Sequence, residues 1–104
     1  MASPEVKDVD PSQAKELMAA GWRVIDVRTD AEWADGHIAG SQHLPINQVV
    51  EEIGDHLDHP LLVVCASGGR STRVAQYLAL QGLEAANLDG GLMAWEAAGL
   101  PIER

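Results

Sequence analysis

Leu61-Leu62-Val63-Val64-Cys65-Ala66-Ser67-Gly68-Gly69-Arg70-Ser71 is the stretch that decides how this chain is read. Four apolar residues in a row, bounded by Pro60 and a glycine-containing loop, fit a strand buried on both faces, as in a parallel sheet covered by helices. Cys65 stands where that strand ends, and a helix is expected over Ser71 to Gln81, with Val74, Tyr77 and Leu78 inward and Gly82 as its stop. A short turn loosened by two glycines can bend its backbone N–H groups around one point. With the positive end of the following helix they form an anion nest. Such a nest favours thiolate over thiol. Two or three charge-assisted hydrogen bonds, each worth ~1.5–3 kcal/mol, lower a thiol pKa by about two units or more. Arg70 adds a charge that does not titrate away, and Ser71 is placed to cap the helix. A lone cysteine after an apolar run is ordinarily a small core residue. The Gly-Gly-Arg-Ser continuation argues otherwise, because a core cysteine needs no anion-binding loop.

Outward from this segment, short apolar runs alternate with amphipathic stretches, the mark of an α/β fold. Val6 to Val9 fits a short edge strand. Asp10 then caps a helix with Pro11 at its first position, a stripe of Ala14, Leu17 and Met18, and Gly21 at its end. Trp22 to Val27 reads as a strand, and Thr29 or Asp30 caps a short helix through Trp33, closed by Gly36. Residues 37 to 46 read as extended or irregular, with Pro45 arguing against a central strand there. Asn47 to Leu57 has helical spacing, with Val49, Val50, Ile53 and Leu57 on one face and Glu51, Glu52 and Asp55 mostly outward. Ala85 to Leu88 is a last strand, and Gly90-Gly91 leads into a helix around Leu92 and Trp95. A mainly parallel sheet with right-handed crossovers follows, and ligands in such sheets bind beyond the carboxyl ends of the strands.

Composition bounds the function. At 104 residues and 46% apolar, the chain suits one domain, with a core about 5–103 and no need of metal or disulfide staples. The core must be aliphatic, since there is no Phe. Seven basic against sixteen acidic residues give a net charge of -9, which disfavours nucleic acid and anionic membrane as partners. Against that field, Arg70 and Arg73 lie just after the cysteine and can draw an anion locally. One cysteine excludes an intrachain disulfide and a thiolate metal cage. Residues 1–10 lack an apolar stretch of signal-peptide length, so a cytoplasmic, reducing location is expected. His56 and His59 are spaced for a helix face but lack assured metal partners, so no metal site is assigned. Trp22, Trp33 and Trp95 read as packing residues.

Cys65-x-x-Gly68-x-Arg70-Ser71 after an apolar strand resembles the active-site loop of single-domain rhodaneses. Asp26-Val27-Arg28, Glu32-Trp33 and Gly36-His37-Ile38-x-Gly40 resemble that family's first signature. Asn87-Leu88-Asp89-Gly90-Gly91, Trp95 and Gly99-Leu100-Pro101 resemble its closing one. The resemblance implies a doubly wound domain with a five-stranded parallel sheet and helices on both faces. It implies transfer of a sulfane sulfur, without cofactor, from a donor such as thiosulfate to a thiol or cyanide through a Cys65 persulfide. By the same match, Ala66, Ser67, Gly68, Gly69, Arg70 and Ser71 cradle the substrate. Asp26 and Arg28 support the site, either as a salt bridge or with Arg28 meeting an anionic donor, and His37 makes a structural hydrogen bond. Related phosphatases place one residue more between Cys and Arg, a wider ring for a tetrahedral oxyanion. The alternative is a carrier or redox-sensing module loaded by a protein partner, for which the acidic stretch Glu51 to Asp58 would be the contact. Ser41 and Gln42-His43-Leu44-Pro45 depart from the family pattern at the outer edge of the site.

Overall fold

The computed structural model describes residues 6–56 and 58–104, without the side chains of Asp55 and His56. Five parallel strands form one sheet in the order β1-β5-β4-β2-β3. They are β1 (Lys7–Val9), β2 (Arg23–Asp26), β3 (Gln42–His43), β4 (Leu61–Val64) and β5 (Ala85–Leu88). The Leu61–Val64 run takes the central position, paired with β2 on one side and β5 on the other, and all four residues are 0% exposed. Burying each of these side chains contributes ~1.5–3 kcal/mol. That burial offsets the cost of a strand pairing residues far apart in the chain.

The period-2 alternation of β4 divides the interior in two. Leu61, Val63 and Cys65 face Val74, Ala75 and Leu78 of α4 (Gly69–Leu80), while Leu62 and Val64 face Ala14 of α1 (Pro11–Ala19) together with Leu92 and Trp95 of α5 (Gly91–Ala97). Helices therefore cover both faces, and the alternation turns Cys65 toward the start of α4. Among the described residues, no helix is long and apolar enough to cross a membrane.

Local signals explain most element boundaries. Asp10 and Gln13 form a reciprocal capping box at α1, with Pro11 in the first turn. Thr29 and Glu32 do the same for α2 (Asp30–Ala34). The segment 37–46, read as extended, supplies the fifth strand, β3, two residues long at the sheet edge before Pro45. Two expectations need correction. The single helix expected over Asn47 to Leu57 is broken. A 3-10 turn (Ile46–Gln48), a four-residue α3 (Val49–Glu52) and a second 3-10 turn (Ile53–His56) replace it. No side chain caps α3, and Val50 points outward at 69% exposure, while Val49 and Ile53 are buried. The readings of Leu57 and of the Asp55 and His56 side chains lie outside the described residues. Finally, α4 starts at Gly69, two residues early, because Gly68 takes the left-handed N-cap position (φ 107°). Ser71 is thus inside the first turn and does not cap the helix.

Candidate active site

The loop between β4 and α4 closes on one sulfur atom. Cys65 is buried at 1% exposure, and its Sγ accepts from the Gly68 N–H at 3.0 Å and from the Ser71 hydroxyl at 3.2 Å. Burial is the largest single influence on the thiol and pushes its pKa up. Hydrogen bonding from the Ser71 hydroxyl and from the backbone N–H groups of Ser71, Gly68 and Ser67 together outweighs it, so the pKa lies below the ordinary thiol value. The cradle inferred from the two glycines is therefore present, built by backbone donors.

What holds the N–H groups inward is the opposite polarity of the loop. Its carbonyls turn away and are taken by the next crossover, where the Leu92 N–H donates to the Cys65 carbonyl at 2.8 Å and the Met93 N–H to that of Ala66 at 3.0 Å. This contact requires Gly91. A Cβ there would lie 2.4 Å from the Cys65 carbonyl oxygen and 2.6 Å from the Ala66 carbonyl, and φ is 58°. The closing signature thus acts as a brace beneath the cysteine loop.

The arginines divide into two roles. Arg28, 4% exposed, clamps the Asp26 carboxylate through Nε and Nη2 at 2.8–3.0 Å and donates to the carbonyls of Glu32 and Gly36. With these partners it is a structural ion pair. Arg70 forms a bidentate pair with Glu32, Nη1 to Oε1 at 2.7 Å and Nη2 to Oε2 at 2.8 Å. Its charge is therefore balanced by a carboxylate that the sequence quoted only as part of a signature. Arg28, Glu32 and Arg70 together tie the end of β2 to the cysteine loop. Exposed Arg73, one turn further along α4, lines with Ile46, Ser67, Gly69 and Arg70 the depression over the loop.

The pair with Arg70 is the main cause that holds the Glu32 carboxyl at about 2, against an ordinary value of 4.5. A carboxyl depressed in the folded state stabilises the fold fully above its unfolded value and loses that contribution as pH falls toward the folded one. Between about pH 4.5 and 2, the melting temperature of the wild-type chain is therefore expected to fall more steeply than that of Glu32→Gln. Both side chains are about one-third exposed (33% for Glu32, 37% for Arg70), so solvent screening keeps the difference small, and thermal melts across that range measure it.

Other candidates fall into place. His37 Nδ1 lies 3.1 Å from the Trp33 carbonyl, and its ring stacks on Trp33 at 3.6 Å, a structural role as the resemblance implied. His43 stacks near the same indole at 4.7 Å, with Nε2 2.7 Å from the Arg28 carbonyl, and the Ser41 hydroxyl donates to the Ile38 carbonyl. The unusual residues at 41 and 43 thus serve local packing. No cluster of metal-ligating side chains occurs among the described residues. Three site neighbours were missed as such. Glu32 pairs with Arg70 across 38 positions, Asn87 meets the Ser71 hydroxyl, and Asp8 accepts from Asn87 across 79 positions. Only the third-residue spacing of Thr29 to Glu32 carried a local signal, and it marks a helix start.

A buried thiol braced inside a ring of backbone donors, at the carboxyl end of the central strand of a doubly wound sheet, defines an α/β domain built around an activated cysteine. The chain belongs to the rhodanese-like domain family, whose model matches residues 10–98. It is 44% identical over 96 residues to the thiosulfate sulfurtransferase GlpE of Ectopseudomonas mendocina, covering 89% of this chain and 87% of that protein. Identity to the protein of the same name from Stutzerimonas stutzeri is 40% over 93 residues, covering 88% and 85%. Among solved structures, the rhodanese-related protein of Thermoplasma volcanium superposes with a TM-score of 0.87 at 30% identity, covering 93% of this chain and 97% of that one.

Proposed function

We propose that this chain, a sulfurtransferase of the rhodanese family, takes a sulfane sulfur from thiosulfate and passes it to a thiol or to cyanide through a persulfide on Cys65. The observation that carries this reading is the convergence of the Ser67, Gly68 and Ser71 N–H groups and the Ser71 hydroxyl on one sulfur. In the first half-reaction the Cys65 thiolate attacks the outer sulfur of thiosulfate. The new S–S bond forms as the old one breaks, and sulfite leaves with the electron pair. In the second, the acceptor attacks the outer sulfur of the persulfide, and the Cys65 thiolate departs with its electrons. No net redox change or cofactor is needed, and the two stages predict ping-pong kinetics.

Residues Ala66 to Ser71 form the cradle in this reading. The same backbone donors hold thiolate and persulfide alike, and a loop with four residues between Cys65 and Arg70 suits one sulfur better than a tetrahedral phosphate. The buried position of Cys65 fits a carrier, because a persulfide extends the nucleophile by one S–S bond of about 2.05 Å. Arg70 and Arg73 at the depression over the loop favour an anionic donor. Asp26 acts through Arg28 by fixing the segment that carries Glu32. A free catalytic thiol suits a reducing, cytoplasmic setting.

The test is thiocyanate production from thiosulfate and cyanide, paired with the intact mass of the protein after thiosulfate alone. Turnover is expected, with a mass gain of one sulfur that Cys65→Ser abolishes. Neither turnover nor a mass gain in the wild-type chain rejects the reading. Loading only by a protein donor would identify a relay module instead.

A further inference from the structure

Behind the sulfur runs a chain of buried polar groups that the two half-reactions leave unexplained. The Ser71 hydroxyl, fully buried, lies within hydrogen-bonding distance of Cys65 Sγ (3.2 Å), of the Gly68 carbonyl (3.2 Å) and of the Asn87 Oδ1. Asn87, buried on β5, donates from Nδ2 to the Asp8 carboxylate at 3.0 Å. Asp8 is its cross-strand partner on β1 and stands exposed at the surface. One hydroxyl proton therefore faces three acceptors.

Asp8 decides how that proton is shared. A carboxylate only accepts, so it fixes the Asn87 amide with Nδ2 toward itself and Oδ1 toward Ser71. An amide oxygen also only accepts, so the hydrogen bond from Ser71 to Sγ belongs to the thiolate, and beside a thiol the Ser71 proton is drawn to Asn87 with the Ser71 lone pairs facing the sulfur. That arrangement is satisfied when Cys65 is a thiol, whose S–H donates to Ser71. When the thiol proton leaves to bulk base, the Ser71 proton must turn to Sγ, and Asn87 Oδ1 loses its donor. A rotated amide would cure this, with Nδ2 donating to Ser71 and Ser71 donating to the thiolate. Rotation, however, sets Oδ1 against the Asp8 carboxylate. We propose that Asp8 is a positioning residue that, through Asn87, opposes the Ser71 hydrogen bond to the Cys65 thiolate and so restrains the activation that the backbone cradle provides.

The inference rests on Cys65 being the reacting thiol, but its test needs no sulfur donor. The rate of Cys65 alkylation by iodoacetamide against pH gives the thiol pKa directly. It stays readable even if the chain transfers no sulfur. In Asp8→Asn, the side chain at position 8 can either donate or accept, so the Asn87 amide is released. The thiol pKa is expected to fall by about one unit, with alkylation below the pKa about tenfold faster. Loss of a surface charge would also lower it, so the comparison is made in 1 M salt, where the screening length is about 3 Å. The other charged groups around the cysteine loop are Arg70, paired with Glu32, Arg73 at the depression over it and the Asp26–Arg28 pair, and none of them is altered. An unchanged pKa in Asp8→Asn at 1 M salt overturns the proposal. A cycle with Asn87→Ala adds a second arm: the Asp8 effect is expected to vanish in that background, and its persistence at full size likewise rejects the relay. If Asn87→Ala does not fold, the high-salt comparison alone decides.

Discussion

Gly91→Ala is expected to lose sulfur transfer and much of the fold's stability together, although position 91 touches no substrate. The new methyl would meet backbone on both sides, 2.4 Å from the Cys65 carbonyl oxygen and 2.6 Å from that of Ala66, and no flexible side chain there can yield. The left-handed φ of 58° alone costs an alanine ~1–2 kcal/mol. Relief of the clash must push apart the cysteine loop and the start of α5, breaking the Leu92 and Met93 hydrogen bonds that keep the loop carbonyls turned outward. A total loss of ~3–5 kcal/mol is expected. The thiol pKa should rise as the N–H groups lose their aim on the sulfur. Gly40→Ala is the matched control. Its φ is also positive, at 81°, but nothing lies within 4 Å of the added carbon, so only the backbone cost remains. Thermal melts and the alkylation profile of the two variants separate the brace from the generic glycine effect. Equal losses at both positions would show that the brace is dispensable.

Asp26→Ala is expected to be about as damaging for a different reason. It leaves the Arg28 guanidinium buried at 4% exposure without its counter-charge. Breaking one side of such a pair costs ~3–5 kcal/mol, a large part of the ~5–15 kcal/mol that holds a domain of this size together. The double variant Asp26→Ala with Arg28→Met removes both charges and keeps the bulk. It is expected to be more stable than Asp26→Ala alone, because an unpaired buried charge is worse than none. Denaturant titration of the three proteins measures the coupling. Sulfur transfer should follow the folded fraction in these variants, since the pair acts on the scaffold and not on the reacting atoms.

The parts of the fold legible in the sequence were those written in local pattern. The run Leu61–Val64 announced a central strand because burial on both faces leaves no polar position in it. Asp10 before Pro11, and Thr29 or Asp30 before Trp33, announced helix starts because a short polar side chain there can accept from a free N–H of the first turn. Residues 49–53 misled because helical spacing says which side chains could share a face, not whether an uncapped segment keeps one geometry. The two-residue β3 is too short to show any period. At the site, the sulfur and its backbone cradle were legible because glycines and a strand end are local facts. The partners of Arg70 and Ser71 were not. Glu32 and Asn87 reach them only after the sheet has formed, and no residue type near position 70 or 71 announces which carboxylate or amide will arrive.

The strand order has a bearing on how the protein is made. β1 pairs with β5, and the sulfur stands at the end of β4, the neighbour of β5 on its other side. During synthesis the first strand emerges early and waits with an unpaired edge until residues 85–88 are available. The cysteine is translated before the glycine that braces its loop and before the asparagine that meets Ser71. A nascent chain stopped short of position 87 therefore carries a thiol with neither brace nor relay. The cradle is braced only once the start of α5 has docked on the loop, so activation of the thiol is expected to follow the synthesis of residues 91–93.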